Sequence, residues 1–348
     1  MWSRIMISRQ EKLNRKLKEK EIDAFLLTNS LNIFYLYQVW IEGAVLVTPE
    51  RNFFISSPIY KEEVMKKERE GEIIVYEDSL EKELEKLTGK LKLKKYGIEA
   101  NHLSLSKYDK IKGKIKGEVI PCEGIVEEIR SIKEKGEIDK IRKAGEVTVA
   151  AFNYLKEFFH PGITEKELAR EAVNYFLEKA EDVSFPPIIL FGERTSLPHA
   201  RPTHRKLKKN ELVLVDIGAK LEDYCADLTR TFLWGEVSEK WKRIYRLVKQ
   251  VQEVAIESVR PGVKCCKIDE KVREKISAAG YGSGILHGTG HGVGLEVHER
   301  PVVRYTSDET LEEGMIVTIE PGIYLPGEGG IRIEDMVLVT SQGGKILP

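Results

Sequence analysis

Two stretches of the chain each present a pair of carboxylates that a β-hairpin would bring face to face. Residues 212–218 and 224–232 read as strands around a polar tip, Lys220-Leu221-Glu222-Asp223. A turn centred between Leu221 and Glu222 sets Asp216 directly opposite Asp227, with Cβ atoms roughly 4.5–5.5 Å apart on one face. In the second stretch the chain turns through Pro326-Gly327-Glu328-Gly329, and centring that turn on Gly327 sets Glu320 opposite Glu334. Like charges facing across a sheet destabilise it unless something compensates. Divalent cations are the most direct compensation. The plainer reading makes these residues solvated surface acids, but Asp216, Glu320 and Glu334 each end an apolar run, where solvated surface is least expected.

His287, His291 and His298 fall within twelve residues of one glycine-rich segment, although the chain has only seven histidines. The glycines do not suit a helix, which argues against an HExxH-type zinc site, and they let the backbone pass close to a metal or substrate. A lone histidine in such a loop is usually structural; three beside a carboxylate cluster read as functional. Arg332 and Glu334 are two apart on a strand and face the same side. An exposed ion pair there would be worth little, whereas a guanidinium behind a metal-binding carboxylate would orient it. His199 precedes the first hairpin by a short loop and can reach the same cleft. Four carboxylates and one imidazole favour Mn²⁺ or Co²⁺, with Zn²⁺ and Fe²⁺ also compatible. Two such ions about 3.5–4 Å apart would activate water and polarise a carbonyl. The chemistry implied is metal-assisted hydrolysis.

The elements that must position these groups follow from periodicity. At 348 residues the chain is long enough for two domains. Its first part alternates helical and strand patterns: helical at 9–20, 60–70 and 79–87, strand-like at 24–27, 43–47 and 53–56. This predicts a small α/β domain. A long helical pattern over 126–159 is interrupted by Gly136, and Thr164 with Glu167 forms a capping box opening the next helix. After Pro186 short apolar runs ending in a polar residue and glycine recur, with helices over 239–259 and 267–279 inserted among them. The domain boundary is placed near residue 122, giving domains 1–122 and 123–348 and an α+β class overall.

Composition narrows the function classes. Lys+Arg and Asp+Glu are equal at 56 each, so no global charge draws the chain to nucleic acid or membrane. The charged content of 32%, rich in Lys and Glu, is of the kind thermophilic proteins show. Cys122, Cys225, Cys265 and Cys266 have no CxxC spacing, so neither a disulfide framework nor a zinc knuckle is indicated. No signal-peptide-length apolar stretch opens the sequence and no run of about 18 apolar residues occurs. The expectation is a cytoplasmic protein.

Taken together, the segments SLPHARPTHRKLKKNELVLVDIGAKLEDYCADLTRTF, HGTGHGVGLEVHERP and LEEGMIVTIEPGIYLPGEGGIRIEDMVLVT closely resemble the creatinase/prolidase peptidases of pita-bread fold, specifically the Xaa-Pro dipeptidases and Xaa-Pro aminopeptidases. NSLNIFYLYQVW resembles part of the smaller, non-catalytic N-terminal domain of those proteins. The resemblance covers nearly the whole chain. It implies a creatinase-like α/β domain followed by a pita-bread catalytic domain, two bound divalent ions, and a homodimer acting on short proline-containing peptides. It also implies that Asp216, Asp227, His291, Glu320 and Glu334 are the metal ligands, with Asp227 and Glu334 bridging both ions. Asp216 would bind one ion, while His291 and Glu320 would bind the other. Glu320 would relay protons, His298 would stabilise the tetrahedral intermediate, and His199 and His287 would contact substrate. Arg332 and Tyr324 would support the ligands.

The activity implied is that of a Xaa-Pro dipeptidase, with Xaa-Pro aminopeptidase a close second and a non-catalytic binding module a remote third. Methionine aminopeptidases share the metal site but usually lack a domain like residues 1–122, and creatinases lack the full ligand set. One position departs from some dipeptidase relatives. Those carry an arginine right after the proline that follows the residue matching His298, where this chain has Val302 between Arg300 and Arg304. Such an arginine would hold the free carboxylate of a dipeptide.

Overall fold

The computed structural model describes residues 8–65 and 71–348, and the chain divides into two compact units, Met1–Arg130 and Ser131–Pro348. In the first unit, six strands form one mixed sheet in the order Glu72–Val75, Asn52–Ser56, Gly43–Val47, Ala24–Leu27, Lys95–Glu99 and Glu118–Cys122. Ala24–Leu27 is buried at every position, which an uninterrupted apolar run requires when both faces of a strand are covered. Helix Arg9–Glu19 starts on a capping box between Ser8 and Glu11. The expected α/β unit is therefore present. The helical stretch expected over 60–70 is a single 3₁₀ turn, Pro58–Tyr60, followed by helix Lys61–Met65; its remainder lies outside the described residues.

The division between units falls at Arg130 rather than near 122. Residue 122 ends the last strand, but the next helix, Ile125–Ser131, stays with the first unit. Val126 and Ile129 on it are buried, and Arg130 donates to Asn32 Oδ1 at 2.9 Å. The expected interruption at Gly136 is displaced too. Gly136 lies in the first turn of helix Lys135–Lys156. The break comes earlier, where Ile132 bridges to Met315 and Lys133 N–H donates to the Gly314 carbonyl. The strand pairing, not the glycine, interrupts the helix. Thr164 and Glu167 do form the expected capping box, opening helix Glu165–Lys179.

The second unit is built from antiparallel strands flanked by helices. Ile188–Phe191, Glu211–Ile217 and Leu228–Trp234 form one sheet; Glu299–Val303, Gly290–Gly292, Ile316–Ile319, Asp335–Thr340 and Gly343–Ile346 form another. A two-stranded ribbon, Gly322–Leu325 with Gly329–Arg332, extends beside them. Helices Glu239–Glu257 and Cys265–Ala278 bury Val248, Val251, Ile268 and Val272 in one cluster with Val317, Ile319, Val337 and Val339. That core makes the second sheet a rigid base. No described helix is long and apolar enough to cross a membrane.

Candidate metal centre and active site

The two hairpins meet the sequence expectation differently. Around Gly327 the pairs Ile319↔Asp335, Gly322↔Arg332 and Leu325↔Gly329 share one centre, so Glu320 and Glu334 occupy opposing register positions as expected. Both lie in the short gap between two ladders. Their amides therefore pair elsewhere: Glu320 N–H donates to the Thr289 carbonyl at 2.8 Å, and Glu334 N–H to the Thr229 carbonyl at 3.1 Å. One glutamate is thus pinned to the histidine loop and the other to the first hairpin.

In that first hairpin Asp216 faces Thr229, not Asp227. The turn is the two-residue Glu222-Asp223, with φ of 49° and 68°. Two left-handed residues match the twist of the flanking strands, and this moves the centre by one position and the register by two. Side chains alternate with period two, so a shift of two leaves Asp227 on the expected face. Asp227 itself lies where the ladder breaks between Tyr224–Cys225 and Leu228–Trp234. Its register partner is Gly218, where a Cβ would stand 1.9 Å from the Ala226 carbonyl oxygen.

Eight of the ten residues singled out in the sequence line one cavity of about 680 Å³: His199, Asp216, Asp227, His291, His298, Glu320, Arg332 and Glu334. Asp227, His291 and Glu334 each place one ligand-type atom within 4.8 Å of the others. His291 Nε2 lies 3.6 Å from Asp227 Oδ2 and 3.5 Å from Glu320 Oε1. Its Nδ1–H donates to the Gly292 carbonyl at 3.1 Å, which leaves Nε2 as a bare lone pair among carboxylate oxygens. Burial holds this imidazole neutral, down to about 4. His298 packs edge-on against it at 4.3 Å between ring centroids.

Tyr324 and His287 stand behind the lining. Arg332 Nη1 donates to Tyr324 Oη at 2.9 Å, and Tyr324 Oη lies 2.7 Å from His287 Nε2. His287 Nδ1 donates to the Gly288 carbonyl, so both its ring nitrogens are engaged and burial pushes it down to about 3. His287 thus stands in a hydrogen-bonded network just behind the cavity lining, with Nδ1 3.8 Å from Glu320 Oε2.

Arg332 organises the acids. It is 2% exposed, and it donates through Nη2 to Asp216 Oδ2 at 2.5 Å and through Nε to Thr229 Oγ1 at 3.0 Å. Thr229 Oγ1 in turn donates to Glu334 Oε2 at 2.6 Å. One threonine therefore couples the guanidinium to a second carboxylate. Thr229 is a residue the sequence reading missed, and Asp269 is another. Asp269, on helix Cys265–Ala278, accepts from Thr289 Oγ1 at 2.7 Å and from Arg273 Nε at 2.6 Å, while Arg273 also donates to the His287 carbonyl. That helix clamps the histidine loop. Only the helical spacing of Asp269 and Arg273, an i,i+4 pair, hints at this in the sequence.

The donor set fits divalent metal. Asp216 Oδ1 is buried with no hydrogen-bond partner, and unpaired buried acceptors are rare and costly. Burial, and then the neighbouring acids, push Asp227 well above the usual carboxylate range; Glu334 is raised in the same way. Burial takes Glu320 up to about 7. A cluster of acceptors with too few protons or cations to separate them calls for positive charge. Protons held by these carboxyls near neutral pH must leave when a cation enters. Loading the metal-free protein with Mn²⁺ at pH 7 is therefore expected to release roughly one or more protons per ion and to tighten as pH rises. Titration calorimetry in two buffers of different ionisation enthalpy reads this directly. Identical heats in both would show the acids to be ionised already.

Residues 139–341 match Metallopeptidase family M24. The chain belongs to that family. Residues 9–132 match the Creatinase/Prolidase N-terminal domain, so this M24 peptidase carries the two-domain, pita-bread α+β architecture that the sequence resemblance implies. An uncharacterized peptidase of Staphylococcus haemolyticus is 36% identical over 352 residues, covering 98% of this chain and 99% of its own. A solved Xaa-Pro dipeptidase from Bacillus anthracis superposes with a TM-score of 0.94 at 36% identity, covering 97% of this chain and 96% of its own. A solved X-Pro aminopeptidase from Thermotoga maritima superposes at 0.87 with 33% identity, covering 96% of this chain and 97% of its own. The family match makes the chain an M24 peptidase. It leaves the length of the peptide to be argued from the cavity.

Proposed function

We propose that this M24 peptidase hydrolyses the bond before proline, with Xaa-Pro dipeptides as its foremost substrates. The observation that carries the reading is the convergence of Asp216, Asp227, His291, Glu320 and Glu334 on one cavity, beside an apolar wall that includes Phe185, Pro186, Ile188 and Val297. These five residues would hold two divalent ions, Mn²⁺ or Co²⁺ by their oxygen-rich character. When bound, such ions polarise the scissile carbonyl and make water nucleophilic near neutral pH.

The protein's own groups supply the rest. The nitrogen of a prolyl bond carries no hydrogen and leaves only once protonated, and Glu320 is the carboxyl that would deliver that proton. His298, lowered mainly by burial and kept neutral, offers an N–H to the carbonyl oxygen as negative charge develops there. The apolar wall would receive the proline ring, and His199 would meet the substrate from the loop before the first hairpin. Arg332 and Tyr324 hold the acids in place. The reading extends to a cytoplasmic homodimer acting on short proline-containing peptides, with neither nucleic acid nor membrane as partner.

A second reading, Xaa-Pro aminopeptidase acting on longer peptides, is favoured by the surroundings of Val302. Arg300 Nε is bound to Glu309 Oε1 at 2.6 Å, and Arg304 is exposed and outside the cavity lining. Neither takes the place of the carboxylate-holding arginine. Hydrolysis of Met-Pro against Met-Pro-Ala, after loading with Mn²⁺ or Co²⁺, decides between the two. Faster cleavage of Met-Pro is the expected result. Preference for the tripeptide would move the assignment to aminopeptidase, and cleavage of neither by the loaded protein would overturn the proline reading.

A further inference from the structure

A dipeptide brings a negative charge on the proline itself, and something in the cavity must receive it. Three basic side chains line this cavity: Lys166, Arg201 and Arg332. Arg332 is buried and already committed to Asp216, Thr229 and Tyr324. Lys166 Nζ lies 3.5 Å from His204 Nε2. The guanidinium of Arg201 is exposed and pairs with no carboxylate among the described residues.

The backbone that carries Arg201 is nonetheless fixed. Its carbonyl accepts from Arg194 Nη2 at 2.9 Å. Arg194 Nε is held by Glu165, a carboxylate with no exposed side-chain surface, at 3.0 Å. The same glutamate accepts from Thr203 N–H at 2.8 Å, from Thr203 Oγ1 at 2.7 Å and from Phe191 N–H at 3.0 Å. One buried acid at the start of helix Glu165–Lys179 thus anchors both sides of Arg201 and the strand beside it. The backbone from which this cation extends into the cavity is therefore held in place. The expense of burying Glu165 has no counterpart in the chemistry of the metal ligands.

We infer that Arg201 receives the free carboxylate of the substrate, in place of the arginine that Val302 lacks, and so selects for peptides that end at proline. The inference rests on the dipeptidase reading above. A planar guanidinium suits bidentate pairing with a carboxylate, and hydrogen bonds to charged partners are worth enough to change binding roughly 10- to 100-fold.

The test compares kcat/KM for Met-Pro with that for Met-Pro amide, which lacks the charge, in the Mn²⁺-loaded wild type and in R201A, R201K and R304A. The acid-to-amide ratio is expected to fall roughly 10- to 100-fold in R201A, to recover in part in R201K, and to hold in R304A. An unchanged ratio in R201A, or an equal fall in R304A, overturns the assignment. The same ratio measured on Met-Ala and Met-Ala amide separates the two layers of inference. Cleavage of Met-Ala but not Met-Pro by the wild type would sink the proline reading, while the Met-Ala ratio would still report on Arg201.

Discussion

Replacing Asp227 with asparagine is expected to abolish metal binding and to slow peptide hydrolysis by far more than the roughly 10- to 100-fold that loss of an outer partner costs, while leaving the fold intact. The argument for intact folding is electrostatic. Asp227 is buried beside Glu334, Asp216 and Glu320, and its folded-state pKa lies well above the usual carboxylate value. A group raised in this way contributes stability that is present below its unfolded pKa, about 3.9, and is lost as pH rises toward the folded value. Asparagine has the shape of the protonated acid and cannot ionise. Metal-free D227N should therefore lose less stability than metal-free wild type between pH 5 and pH 8, even as added Mn²⁺ stops protecting it. Thermal melts with and without Mn²⁺ at both pH values, alongside Met-Pro hydrolysis, check the whole pattern. A D227N protein that still gains stability from Mn²⁺ and still cleaves would remove Asp227 from the ligand set. A wild type that cleaves no peptide, with a peptide affinity that D227N leaves unchanged, would instead be a binding module.

The second large effect concerns stability. Arg332→Met removes one partner of a buried pair, since Arg332 is 2% exposed and Asp216 is 7% exposed. Breaking such a pair from one side costs about 3–5 kcal/mol, because the remaining charge is left uncompensated. Thr229 Oγ1 and Tyr324 Oη lose a donor at the same time. The pH dependence has a definite sign. Burial already raises the Asp216 carboxyl and Arg332 opposes that, so its removal raises the carboxyl further. The protonated acid is tolerated at pH 5, and the penalty grows as pH rises through neutrality. Urea unfolding of metal-free wild type and R332M at pH 5 and pH 8 should show the gap widening at the higher pH. A gap of equal size at both would mean that Asp216 is not the group left exposed to the change.

What the sequence reveals of this site depends on how local the determining interaction is. The hairpin around Gly327 is legible because a proline and two glycines mark its tip, and turn chemistry fixes register. The tip Glu222-Asp223 carries no Asn-Gly or Asp-Gly signal, so its left-handed backbone is not legible and the register is misread by two. The face survives because two is the period of a strand. The break at Ile132 depends on pairing with Met315, which no local pattern announces. Thr229 meets Glu334 from 105 positions away, Thr203 meets Glu165 from 38, and Thr289 meets Asp269 from 20. These hydroxyl and carboxylate partners are ordinary residues until the fold brings them together. The misplacement of the domain boundary has the same origin, since only the packed structure shows which unit the apolar face of Ile125–Ser131 joins.

The shared centre at Gly327 also governs how this chain can change in length. The match between Glu320 and Glu334 depends on equal numbers of residues on the two legs of the hairpin, and not on what forms its tip. Gly327 is exposed, and a Cβ added there would meet nothing within 4 Å. Extra residues spliced in at that point would be carried outward, leaving the legs and both glutamates in step. A single residue deleted from one leg would turn its glutamate toward the opposite side of the ribbon. The tip is therefore where a foreign epitope or reporter could be grafted, while the legs can gain or lose residues only as a matched pair.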